Sequence, residues 1–94
     1  AVPIAALAGD QQAALFGALG FARGAVKATI GTAAMVDVHL GDAPVLSANG
    51  AFPLVLWKRN GVQAWCLEGT VITAGASVQW LRDGLGVIAS LGES

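Results

Sequence analysis

The pair Asn60-Gly61 constrains this chain more than any other feature. A two-residue hairpin turn needs a left-handed backbone at both central positions, and Asn-Gly adopts it at little cost. Apolar-rich runs flank the pair, PLVLWK at 53–58 and VQAWCL at 62–67. They read as two strands that return antiparallel on each other. Trp57 and Trp65 sit on either side of the turn, placed to pair across it. Packing of these rings outweighs a role in stacking on a ligand.

Upstream, residues 25–30 form a second strand-like run, and 34–40 alternates weakly as a third. Between them, Gly31-Thr32-Ala33 predicts a tight hairpin bend. Residues 41–52 carry Gly, Pro, Ser and Asn and read as a loop. A helix is expected from near Thr70 to Asp83, with Val71, Gly75, Val78 and Leu81 as its buried stripe. Trp80 and Leu81 read as core, Arg82 and Asp83 as a solvated edge whose side chains face different directions. Gly84 suits the left-handed residue after a helix. Residues 86–94 read as a weak tail. Strands predominate between two helices, so the fold class is α/β, a mixed, mostly antiparallel α+β sheet.

At the other end, an apolar run at 2–8 reads as a short buried strand, and residues 11–19 as a helix closed by Gly20. Asp10 stands between them, where a helix N-cap belongs. Two roles are open to it. Its carboxylate can tie off orphan backbone N–H groups, or it can meet a substrate at the strand end, where ligands of α/β sheets bind.

Composition sets the remaining bounds. Ninety-four residues make one short domain at most. The chain is 55% hydrophobic and 12% charged, with mean hydropathy +0.68. That is apolar for a small unit, which exposes much of its surface. Surfaces covered by a larger domain or by a second copy are expected, and with them a homo-oligomer. The net charge is −1 and the basic residues are scattered, so no stripe exists to neutralise a nucleic-acid backbone. No apolar segment reaches the roughly 18–20 residues needed to cross a bilayer, and insertion is not expected. No positive leader precedes the first strand, and the chain starts at Ala1 rather than Met, so a gene product beginning upstream is expected. The single cysteine, Cys66, cannot form an internal disulfide and reads as a buried thiol, which fits the cytoplasm. His39 stands alone without Cys or Asp at metal-ligand spacing and reads as an exposed strand residue. Glu68, at the expected passage from strand to helix, is given no catalytic role.

The stretch Gly9-Asp10-Gln11-Gln12-Ala13-Ala14-Leu15-Phe16-Gly17 resembles the start of the second domain of glycerol kinases, in the FGGY carbohydrate kinase family. The resemblance continues in one register through Gly31-Thr32, Ser47-Ala48-Asn49-Gly50, Leu67-Glu68-Gly69 and the run from Ala74 to Gly86. It spans nearly the whole chain but only the opening of that domain. It implies a partial ribonuclease-H-like, actin-type ATPase fold over 1–94. It also implies transfer of the terminal phosphate of ATP, with Mg²⁺, to glycerol or a related polyol.

Under that resemblance Asp10 is the general base that takes the polyol proton, and Gln11 helps hold the polyol. Asp10 is also a candidate contact for the Mg²⁺ that accompanies ATP. Gly31 and Thr32 form a turn suited to phosphate oxygens, the bland alternative being an ordinary hairpin bend. The family turn reads Gly-Thr-Gly after Asn-Thr-Tyr. Here the third position is Ala33, after Ala28, Thr29 and Ile30, which narrows the space and disfavours a positive φ. Gly75 and Gln79 fall beside the nucleotide on one helix face. Ala18 replaces the family's glutamine, and no mechanism attaches to that change. Two further readings stay open: a non-catalytic, self-associating remnant, and a kinase for another polyol or sugar.

Overall fold

The computed structural model describes residues 1–90 and residue 92, so the tail expected to Ser94 lies in part, at 91, 93 and 94, outside the described residues. Asn60 and Gly61 have φ of 50° and 80° and join β3 (Phe52–Arg59) to β4 (Val62–Val71). This is the two-residue turn with both residues left-handed. It sets Arg59 opposite Val62 and Trp57 opposite Ala64. Trp65 therefore falls on the other face, opposite Val55, and the expected Trp57–Trp65 pairing does not form. The register shifts between Val55 and Trp57, so Leu56 is the extra residue of a bulge. Both Leu56 and Trp57 consequently join the core.

β1 (Val26–Ile30) and β2 (Ala34–Gly41) form the second hairpin, across residues 31–33. The sheet is four-stranded and antiparallel, in the order β1-β2-β4-β3. With the two helices this is an α+β fold. β4 is longer than expected because β2 holds it as far as the pairs Met35–Thr70 and Ala34–Val71. That ladder keeps Thr70 and Val71 in the strand, and α2 begins only at Gly75, running to Asp83. Val71 thus leaves the proposed stripe. No α2 residue is buried, and Trp80, expected in the core, is 57% exposed. Gly84 has φ −88°, and the left-handed glycine is Gly86. Arg82 and Asp83 do not diverge but pair through two contacts, at 2.5 and 2.8 Å, on the exposed edge.

Residues 2–8 are exposed and form no strand. An apolar run becomes a strand only where another strand satisfies its backbone groups. The β3 edge discourages pairing with a proline, Pro53, and the Leu56 bulge. α1 covers Asp10–Gly17, with extended Gly9 as the cap and no side-chain cap bond. Asp10 is therefore the first helical residue and not the N-cap. The helix ends at Gly17 with Ala18 as its C-cap, short of the expected Leu19, which instead lies outside it with a left-handed φ of 61°.

The core is small. Leu15 of α1 packs with Leu56, Ala64 and Cys66, flanked by Leu54 and Trp57. Phe16, Phe21 and Trp57 meet edge to face, and the Arg59 guanidinium lies over both phenyl rings. Cys66 is buried as expected, and burial is the first cause that pushes its thiol up. His39 is also buried, contrary to expectation, because it shares the inward face of β2 with Asp37. Its Nδ1 accepts the Gly41 N–H at 3.0 Å, and its ring meets Trp57 edge-on. On the outer face Val26, Ile30, Val36, Val55 and Val71 remain exposed. No helix among the described residues is long and apolar enough to cross a membrane.

Candidate functional site

Two anchor points hold the residues singled out in the sequence. The first is the start of α1. Asp10 is exposed, and its Oδ1 accepts the N–H of Gln11 at 2.8 Å. Gln11 reaches down to β1. Its Oε1 accepts from Lys27 Nζ at 2.5 Å and from the Thr29 hydroxyl at 3.3 Å. Lys27 and Thr29 share the inward face of β1 because strand side chains alternate. Thr29 precedes Gly31 by two residues, about 6–7 Å along a strand. Gln11, the neighbour of Asp10, is thus tied to the strand that leads into the 31–33 bend.

The second anchor is the junction of that bend with α2. The Gly31 N–H donates to the Ala33 carbonyl at 2.8 Å. The Gly31 carbonyl accepts from Gly75 N–H, and the Thr32 carbonyl from Ala74 and Ala76 N–H, at 2.8, 2.8 and 3.2 Å. The first N–H groups of α2, which have no partner within the helix, are satisfied by the hairpin tip. A Cβ on Gly75 would stand 2.5 Å from the Gly31 oxygen, so only glycine fits this approach. Ala33 is not among the residues with positive φ, and the backbone strain feared for it is absent. Gln79 lies one turn further along α2, exposed. The structure therefore brings Gly31, Thr32 and Gly75 together, and separately ties Gln11 to β1 beside Asp10. No hydrogen bond between described residues joins Asp10 to the junction.

Sequence reasoning missed the charged group beneath. Asp37 is 2% exposed and stands opposite Lys27 in one ladder and Glu68 in the next. Its Oδ2 has no well-aligned hydrogen bond, and the Lys27 ammonium at 3.1 Å compensates its charge. Glu68 accepts from Thr70 at 3.3 Å. Burial first, and then the hydrogen bond and charge of Asp37, push the Glu68 carboxyl up, while Thr70 and Lys27 oppose the shift. A carboxyl that holds its proton more tightly when folded stabilises the fold below the ordinary glutamate range, and this contribution is lost as pH rises through the native value. Glu68→Gln is therefore expected to flatten that loss. Urea midpoints measured between about pH 4 and pH 7 should fall more for the parent than for the variant, and equal slopes would contradict the shift.

Two concavities lie elsewhere. One, of about 310 Å³, is bounded by residues 6–8, Gln12, Phe16 and Trp57. The other, of about 260 Å³, lies between His39, Trp57 and Gln63. Neither includes Asp10, Gly31 or Gly75.

The chain is 51% identical over 92 residues to the glycerol kinase of Alkalilimnicola ehrlichii, a match covering 98% of this chain and 19% of that protein. It is 46% identical over 93 residues to the glycerol kinase of Francisella tularensis subsp. novicida, covering 99% and 19%. The Burkholderia pseudomallei glycerol kinase is 46% identical over 92 residues, covering 98% and 18%. The chain is homologous to one segment of the glycerol kinases. It spans about a fifth of the length of these glycerol kinases. No protein-family model matches it.

Proposed function

We propose that this chain is the opening segment of the second domain of an ATP-dependent glycerol kinase, and that it carries the catalytic base. The observation that carries the reading is identity of 44–51% over almost the entire chain to curated glycerol kinases. The exposed position of Asp10, at the start of α1, supports it.

In this reading Asp10 takes the proton of the attacking glycerol hydroxyl, which becomes nucleophilic toward the terminal phosphate of ATP. The Gln11 amide holds a second polyol oxygen. Gly31 and Thr32 present the hairpin tip to the phosphates, and Gly75 and Gln79 line the nucleotide from α2. Mg²⁺ fits a single exposed carboxylate together with phosphate oxygens, since it needs few protein ligands. One oxygen of Asp10 is engaged by Gln11 N–H, which leaves the other to take the hydroxyl proton, so the ion would be held through water. The ion, when bound, would neutralise charge building on the transferred phosphate.

The intact polypeptide that carries these residues is expected to phosphorylate glycerol with ATP. The 94 residues by themselves should have no measurable activity, and ATP-dependent glycerol phosphorylation by the purified chain would overturn the fragment reading. The exposed apolar outer face of the sheet favours a second reading, a self-associating module without catalysis. A stable monomer in sedimentation of the purified chain at high concentration would count against this second reading.

A further inference from the structure

Gln11 carries both an acceptor and a donor at the end of its side chain, and either can face a substrate unless the surroundings choose. Here they choose. Lys27 has only donors to offer. Its ammonium donates to Gln11 Oε1 at 2.5 Å and to Thr29 Oγ1 at 2.9 Å, and faces Asp37 Oδ2 at 3.1 Å. The Thr29 hydroxyl, having accepted from Lys27, gives its own proton to the same Gln11 oxygen. The Lys27 side chain is 12% exposed and that of Asp37 is 3% exposed, so the charge pair beneath the amide is shielded from water. Hydrogen bonds to a charged donor in such a setting are stronger than neutral ones.

We propose that Lys27 is a positioning residue: anchored by Asp37, it captures the Gln11 carbonyl oxygen and so turns the Gln11 amide N–H₂ outward as a donor for a substrate hydroxyl oxygen beside Asp10. The inference rests on the kinase reading for its substrate, and on the Lys27–Gln11–Thr29 geometry for the device. A lysine that acts in this way affects polyol binding and leaves nucleotide binding alone. It also acts only while Gln11 is present.

Steady-state kinetics of the intact polypeptide test this. Lys27→Met is expected to raise the glycerol KM roughly tenfold, as loss of one charge-assisted hydrogen bond implies, with the ATP KM within about twofold. In a Gln11→Ala background the same substitution should change the glycerol KM by less than about twofold, because the two residues act through one contact. Removing Lys27 alone strands the Asp37 charge and threatens the fold. The paired variant Lys27→Met with Asp37→Leu removes that charge as well, and is expected to show the same glycerol effect. Equal effects of Lys27→Met in both backgrounds, or parallel changes in both KM values, would overturn the positioning role while leaving the kinase reading in place. Absence of glycerol phosphorylation by the unsubstituted polypeptide would overturn the kinase reading instead. In that event NMR of the Gln11 side-chain amide decides on Lys27. An amide as mobile in the parent as in the Lys27→Met variants overturns its role.

Discussion

Asp10→Asn in the intact polypeptide is expected to lower kcat by about 10²–10⁴-fold, the range that general-base removal costs. Asparagine keeps the size of the side chain and the oxygen that accepts the Gln11 N–H at 2.8 Å. The first turn of α1 should therefore survive, and with it the Gln11–Lys27 contact. Stability is expected to change little, because Asp10 is exposed and Gly9, not Asp10, occupies the cap position. Glycerol and ATP should still bind with KM values near those of the parent. Turnover close to normal would remove Asp10 from the role of base. A fall in kcat together with a lowered urea midpoint would assign it a structural role.

Gly75→Ala sets two effects against each other. Alanine in a helix is favoured over glycine by about 1 kcal/mol. Against this, its Cβ would stand 2.5 Å from the Gly31 carbonyl oxygen and 3.2 Å from the carbonyl carbon. Those atoms are backbone and cannot rotate away. The steric cost wins, and the variant should be less stable by about 1–3 kcal/mol. The strain is discharged at the junction, where hydrogen bonds of 2.8–3.2 Å hold α2 to the hairpin tip. A rise of roughly tenfold in the ATP KM is expected, with the glycerol KM unchanged. A higher urea midpoint for Gly75→Ala would mean that the approach of turn and helix is not as close as described.

What could be read in advance follows from how local each contact is. The β3–β4 hairpin was legible because Asn60-Gly61 marks both the turn and the register. That same register rules out the Trp57–Trp65 pair, since a two-residue loop sets 57 opposite 64. The three-residue bend at 31–33 likewise places Lys27 opposite Asp37, a charge pair open to view but not read. Glu68 opposite Asp37 had no such signal, because β2 and β4 are joined through another strand and a long loop.

The strand expected at 2–8 and the helix expected from Thr70 failed for a common reason. Hydrophobic pattern reports a tendency, whereas a strand exists only if another strand pairs with it. Residues 2–8 have none, while Thr70 and Val71 have Met35 and Ala34. His39 was misplaced because a polar residue on a weakly alternating strand does not announce its face. Of the candidate site, Asp10 and Gln11 came from the motif they sit in. Gly75, read in the sequence as part of a helix stripe, has the Gly31 backbone as its close neighbour.

The position of β4 between β2 and β3 has a consequence for synthesis. A ribosome delivers the β1–β2 hairpin well before the strand that joins it to β3. A lone two-stranded hairpin is at best marginal in water. Until residue 71 emerges, the growing chain must carry Lys27, Asp37 and its apolar face without their eventual cover, and a nascent chain stalled in this interval would be a natural client for chaperones.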